Sequence, residues 1–331
     1  MPGKQTSEKT EQYPSYLDAF QNGTLERISG LAFKLLESCA ICPRKCKVNR
    51  LKGQTGFCKT GLEPVVYSSL PHHGEEPPIS GKRGSGTIFF SGCNMACVYC
   101  QNYEFSQAID GKPASDEELA NLMLKLQDSG CHNINLVTPT HVMPQILKAL
   151  LLAIPKGLRI PLVYNTGGFE LPAIIRLLDG IVDIYLADMR YADSRMAIKY
   201  SFAADYARFN RESIAEMHRQ TGIAEFGENG IIKKGLIVRL LVMPENISGT
   251  EETIKFIAEN ISKDTYISLM SQYTPFYKAS GIKELSRRIS REAYSSAQAA
   301  MEKYGLYNGW TQDSGGLDRF AGVNIKNAFS E

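Results

Sequence analysis

Three cysteines, Cys93, Cys97 and Cys100, fall in the segment SGCNMACVYCQNYEFSQ (91–107), spaced by three residues and then two. A structural zinc closes its shell with four protein ligands, and a cubane iron–sulfur cluster has four irons to ligate. Three thiols in one loop leave a position open, which is a property of catalytic rather than structural centres. Cys131 is the thiol that could complete the set. Its place at the start of the following strand, opposite the loop, makes it a buried structural residue instead.

Two further constellations carry chemistry. Cys39-x2-Cys42-x3-Cys46-x11-Cys58 supplies a complete set of four thiols, with Gly53 and Gly56 in the return. That pattern suits either a structural zinc or a second [4Fe–4S] cluster. His72, His73, Glu75 and Glu76 stand together in PHHGEEPPISGKRGSG (71–86). They either line an active site or belong to a solvated, proline-stiffened linker. GKRGSG (81–86) lacks the P-loop pattern.

The elements that must position these residues alternate. Strand candidates are TIFFSG (87–92), NINLVT (133–138), PLVYNT (161–166), DIYLAD (183–188), LIVRLLVM (236–243) and YISLMS (266–271). Helices are expected over 115–130, 143–154, 170–179, 192–219 (broken), 249–261 and 281–304, the last as an exterior surface helix. Ser115 with Glu118 forms a capping-box pattern. Such alternation implies parallel βαβ units. Six of them are too few for a closed eight-stranded barrel, so a partial (β/α)6 barrel or a doubly wound sheet is expected, with ligands beyond the carboxyl ends of the strands. Upstream, residues 1–20 read as a frayed tail, 21–37 as a helix, and 71–86 as an extended loop. The division expected is a tail and Cys-rich metal-binding segment over 1–70, followed by the barrel over 71–331.

Composition limits the alternatives. A formal charge of +2 leaves no basic surplus for nucleic acid. The longest apolar run, 146–155, contains Lys148 and is too short to span a bilayer. No secretion signal opens the chain, and clustered cysteines then favour metal over disulfides. A cytoplasmic protein is expected.

The motif CNMACVYC resembles the C-x3-C-x2-C signature of the radical S-adenosylmethionine (SAM) superfamily. More widely, HHGEEPPISG (72–81), GSGTIFFSGCNMACVYCQNYEFSQ (84–107), NINLVTPTH (133–141), YNTGGFE (164–170), YLADMRY (185–191), VRLLVMP (238–244) and MSQYTPFYKA (270–279) resemble the pyruvate formate-lyase activating enzymes, in particular a longer activating-enzyme-like branch. The resemblance implies a partial TIM-like barrel of the radical SAM type, α/β in class. It also implies a [4Fe–4S] cluster on Cys93, Cys97 and Cys100, with SAM chelating the fourth iron. One electron, from a donor such as flavodoxin or ferredoxin, then splits SAM into methionine and a 5′-deoxyadenosyl radical that abstracts hydrogen from substrate.

The resemblance carries further residues one at a time. Tyr99 would pack near the adenine. Thr138 and Thr140 stand where the family has a Gly-Gly-Glu-like segment facing SAM's amino group, and they offer no carboxylate. Asn165, Thr166 and Gly167 form the turn near the ribose. Asp188 and Arg190 match an Asp-x-Lys pair, and Arg239 an arginine on SAM's carboxylate side. Each has a plainer reading: Asp188 as a helix cap, Arg239 as its ion-pair partner, the threonines as strand and turn formers, His141 as a satisfied buried histidine. Where the family has a substrate-side histidine, this chain has Gln272, Tyr273 and Tyr277. The substrate-side candidates are therefore His72, Glu75, Glu76, His141, Gln272, Tyr273 and Tyr277. The substrate itself is a glycyl-radical enzyme, or another peptide or small molecule. A non-enzymatic alternative is a scaffold holding zinc at both cysteine groups.

Overall fold

Short runs of β-branched and aromatic residues form the strands of this computed structural model, which describes residues 12–227 and 229–312. In chain order these are β1 (Val65–His72), β2 (Ser85–Phe90), β3 (Lys112–Pro113), β4 (Ile134–Val137), β5 (Leu162–Thr166), β6 (Ile184–Asp188), β7 (Glu225–Phe226), β8 (Ile232–Leu241), β9 (Tyr266–Met270) and β10 (Gly309–Thr311). Among the described residues they make one ten-stranded sheet, ordered β10-β9-β8-β6-β5-β4-β2-β1-β3, with β7 paired to β8. The strands expected from the sequence are β2, β4, β5, β6, β8 and β9, all joined in parallel. β10 adds a further parallel strand beside β9, while β1 and β3 extend the other edge antiparallel. This is the α/β partial barrel expected from the sequence, with the Cys-rich segment ahead of it. β2, β4, β5 and β6 are buried along their whole length, as parallel strands covered on both faces must be.

Helices cover the outside. Ser115 caps Asp116–Asp128 through the expected box: its hydroxyl accepts from the Glu118 amide at 3.2 Å while its own amide donates to Glu118 Oε2 at 2.7 Å. The helices Met143–Ala153, Pro172–Arg176 and Thr250–Asn260 fall within the ranges expected. The broken helix resolves into Ser194–Ser201 and Tyr206–Thr221, parted at Phe202 and Asp205 with φ of 54° and 56°. Among the described residues no helix is long and apolar enough to cross a membrane.

Four expectations change. Residues 1–11 lie outside the described residues, but Tyr16–Gln21 is a helix rather than a frayed tail. It buries Tyr16, whose hydroxyl donates to the Ile160 carbonyl at 2.8 Å. The 71–86 stretch is no extended loop: β1 runs to His72, Pro77–Ser80 is a helical turn, and Glu75, Glu76 and Ile79 are buried. Proline at the start of that turn removes only an amide that a helix start leaves free. The last helix begins at Arg291, not 281, capped by Ser290. Finally, the division drawn at residue 70 falls inside β1, and Tyr16, Leu25 and Ile28 share one apolar core with β4, β5 and β8.

Candidate active site

The cysteine loop leaves the carboxyl end of β2 through Gly92, whose φ is +85°. A Cβ there would lie 2.5 Å from the Cys58 carbonyl and 2.9 Å from Thr60 Oγ1, so only glycine fits between the two cysteine groups. The loop is held by backbone bonds: the Ala96 amide donates to Ser201 O, the Val98 amide to Tyr200 O, and the Lys278 amide to Val98 O. Each thiol has a donor aimed at it. The Met95 amide donates to Cys93 Sγ at 3.3 Å, Ser201 Oγ and Arg190 to Cys97 Sγ at 3.0 and 3.6 Å, and Ser106 Oγ stands 3.3 Å from Cys100 Sγ. Burial, with Cys97 alongside, pushes the Cys93 thiol up to about 12 and raises that of Cys100.

Beside the thiols, at the strand ends, lies a pocket. Its lining includes Tyr99, Cys100, Thr138, Asn165, Gly167, Asp188, Arg190, Arg239, Gln272 and Tyr273. Glu75 and Glu76 also border it. Asp188 and Arg239 are register partners on β6 and β8. Arg239 Nε donates to Asp188 Oδ1 at 2.6 Å, Arg190 to Oδ2 at 2.5 Å, and Arg239 also donates to Asn165 Oδ1 at 2.6 Å. Arg239 lies 3.6 Å from Glu75 Oε2. Burial alone would raise the Asp188 carboxyl, but the two guanidiniums overcome it and hold it below its ordinary value. Burial instead raises Glu75 and Glu76, despite Arg239 nearby. Thr138 takes φ of 59°, a costly left-handed conformation for a β-branched residue, held by a bond from its amide to Asn165 O. Tyr99 accepts from Tyr191 at 2.8 Å and stands 6.0 Å from the Tyr273 ring. Tyr273 spends its hydroxyl on the Leu285 carbonyl, so it offers the pocket a ring face.

Other candidates stand outside this lining. Thr140 and Thr166 both donate at 2.5 Å to Glu170 Oε1, a buried carboxyl that the sequence reading passed over. His141 is buried, with Nε2 at 2.8 Å from the Ser91 carbonyl, and burial pushes it down to about 4. It is a neutral prop under the cysteine loop. Tyr277 stacks on Tyr103 at 4.7 Å, and His72 meets Phe89 edge-on. Cys131 is buried below β4, away from the loop. Tyr206 and Asn210 also escaped notice. Asn210 donates to Gly168 O and Asp188 O, and Tyr206 to Gly167 O and Asp188 O. Together they fix the turn after β5 against the end of β6. Their only advance signal was polarity on a helix face.

The first cysteine group packs directly on the second. Arg50, fully buried, donates to Gly61 O at 2.9 Å and to His141 O at 2.7 Å. Arg44 donates to Asn94 O at 2.9 Å and lies 3.6 Å above the Phe57 ring; burial lowers its pKa, opposed by the cysteines of both groups around it. Cys42 is pushed up to about 12, chiefly by burial. Among the described residues, no three His, Cys, Asp or Glu side chains are gathered as ligands of one metal ion.

The donor set around the loop fits a thiolate-bound cluster. N–H and O–H groups point at sulfurs whose burial disfavours free thiolates, a charge that iron would neutralise. A pocket opens beside Cys100.

The Radical SAM superfamily profile matches residues 87–257, from β2 to the helix after β8. The chain belongs to the radical SAM superfamily, which implies a [4Fe–4S] cluster and SAM. It is 31% identical over 288 residues to the protein named "Uncharacterized protein MJ0674" from Methanocaldococcus jannaschii, covering 83% of this chain and 78% of that one. Among solved structures, methylornithine synthase (PylB) is similar with a TM-score of 0.48 and 13% identity, over 93% of this chain and 83% of that one. Streptococcus suis SuiB bound to S-adenosylmethionine is similar with a TM-score of 0.45 and 12% identity over 67% of this chain. The present chain spans 48% of the SuiB chain.

Proposed function

We propose that the chain is a hydrogen-abstracting radical SAM enzyme, with Cys93, Cys97 and Cys100 holding the cluster and the adjoining pocket holding SAM. The observation that carries this is the three-thiol loop opening onto the pocket that contains Tyr99, Asp188, Arg190 and Arg239. When bound, cluster and SAM supply the one-electron cleavage that generates the abstracting radical. The protein's part is placement. Arg239 and Arg190 present guanidinium edges suited to a carboxylate, pre-oriented by Asp188 and Asn165. Tyr99, fixed by Tyr191, offers a flat apolar face for a base and keeps water from the thiols.

Among the described residues the N-terminal thiols are not gathered around one ion; drawn together, they would hold a zinc or a second iron–sulfur cluster that braces the loop through Gly92 and Cys58. Exposed Lys45, Lys47 and Lys52 beside them suit docking of an acidic electron donor of the flavodoxin or ferredoxin kind. For the substrate, the activating-enzyme resemblance favours a glycyl-radical enzyme. The replacement of the substrate-side histidine by Gln272 and Tyr273, with acidic groups below, favours another peptide or small molecule.

The test is SAM cleavage by single variants after anaerobic reconstitution. Cys93→Ala, Cys97→Ala and Cys100→Ala each abolish 5′-deoxyadenosine formation, whereas Cys42→Ala leaves a measurable rate. Cleavage retained in any one of the first three refutes the assignment.

A further inference from the structure

The segment between β1 and β2 closes the barrel from the end opposite the cysteines. β1 ends where His72 pairs with Ser85, the first residue of β2, whereas Cys93 follows that strand's last residue. Ile79 O accepts from Asn133 Nδ2 at 2.8 Å, and a Cβ on Gly81 would strike His132 and Ile231, residues that precede β4 and β8. From this floor Glu75 and Glu76 point inward and border the SAM-side pocket.

If Glu75 and Glu76 ionise together with Asp188, the two arginines of the pocket leave one carboxylate uncompensated. Arg190 and Arg239 both serve Asp188, and Arg239 reaches Glu75 as well. Among the described residues no cation lies within ion-pair distance of Glu76; burial raises its carboxyl, which Arg239 and the Ser268 side chain only partly offset. Glu76 Oε2 is fully buried without a hydrogen-bond partner, in a residue that is 8% exposed. The residue is not free to swing away. Its carbonyl accepts from the Ile79 and Ser80 amides, and Pro77 follows it. Two more pocket atoms lack partners as acceptors, Gln272 Oε1 and Asn102 Oδ1, and one as a donor, Arg190 Nε on the thiol side. The amides can turn to suit a donor or an acceptor. A carboxylate cannot, and a buried one demands a positive partner.

We infer that Glu76 receives a cationic nitrogen group of the substrate, an ammonium or guanidinium, at the floor of the barrel. Gln272 and Asn102 accept further hydrogen bonds from the same ligand. The substrate thus enters with its charged end down, away from the cysteines, and places its carbon skeleton between Glu76 and the SAM site. Until the cation arrives, burial favours the neutral carboxyl, which keeps the empty site from holding an uncompensated charge.

This inference rests on the radical SAM reading of the same pocket, so the experiment separates the two. Reconstituted holoenzyme is first titrated with SAM, then, SAM-loaded, with n-butylammonium, n-butylguanidinium, n-butanol and butyrate by ligand-observed NMR. The expected result is that a cation binds at least about tenfold more tightly than butanol and that butyrate does not bind. Glu76→Gln erases the preference while the SAM dissociation constant stays within about twofold. Cations binding no better than butanol to SAM-loaded protein overturn the inference and leave the SAM reading intact. Weakened SAM binding in Glu76→Gln also overturns it, because the carboxylate then serves SAM's own ammonium. Failure of the wild type to bind SAM overturns both.

Discussion

Asp188 holds the pocket together by carrying two guanidiniums, and Asp188→Asn measures how much. The carboxylate accepts from Arg239 Nε at 2.6 Å and from Arg190 at 2.5 Å, with 9% of its side chain exposed. Asparagine keeps the shape, but it turns an N–H toward one guanidinium and leaves two cations without their anion. Breaking a buried ion pair by removing one partner costs about 3–5 kcal/mol. Arg239 retains Glu75 at 3.6 Å, so the lower end applies, about 3 kcal/mol. With a urea m-value of roughly 3 kcal/mol/M, the unfolding midpoint falls by about 1 M at pH 7. The sign with pH follows from the lowered carboxyl. Its stabilisation is complete above the unfolded value of about 3.9 and disappears as pH falls through the lower folded value. The gap between wild type and variant therefore narrows in acid below about pH 4. Urea melts followed by circular dichroism from pH 7 to pH 3 read both effects. A midpoint within about 0.2 M of wild type at pH 7, or a gap that does not narrow in acid, refutes the argument.

Arg239→Ala weakens SAM binding at least about tenfold with iron content unchanged, and an unaltered SAM dissociation constant contradicts its role. Gly168→Ala puts a Cβ 2.2 Å from both Asn210 Nδ2 and the Asp188 carbonyl at φ +76°, so it destabilises by more than about 1 kcal/mol in the same urea assay. Burial pushes Glu170 up to about 7, above its unfolded value. Wild-type stability therefore falls as pH rises from about 4.3 to 7. Glu170→Gln, which still accepts from Thr140 and Thr166, lessens that slope, and an identical slope in the variant speaks against the buried ionisation.

The parallel strands and the grouping of Asp188 with Arg239 were legible because both follow from local rules. Apolar runs between helical patterns locate β2, β4, β5, β6, β8 and β9, and parallel pairing brings strand ends to one face. The plainer reading of Arg239, as an ion-pair partner of Asp188, also holds in the structure. What escaped the sequence depends on contacts far apart in the chain. Tyr16 is buried only because Ile160 offers it a carbonyl. Glu76 was a substrate-side candidate by type, but the helical turn at Pro77 that aims it inward had no sign in sequence. Glu170 follows Gly-Gly-Phe in what reads as a helix start, and its two threonine partners come from different strand ends. Thr138 shows no sign in sequence of its left-handed backbone.

The central claim is that three thiols hold a cluster with one iron left for SAM. Electron paramagnetic resonance of the anaerobically reconstituted, dithionite-reduced protein, with and without SAM, tests it most directly when 5′-deoxyadenosine is assayed in the same samples. The account predicts a reduced [4Fe–4S] signal that shifts when SAM is added, loss of that SAM-sensitive signal in Cys97→Ala, and deoxyadenosine from the wild type. The absence of any SAM-sensitive cluster signal, or its survival in Cys97→Ala, contradicts it.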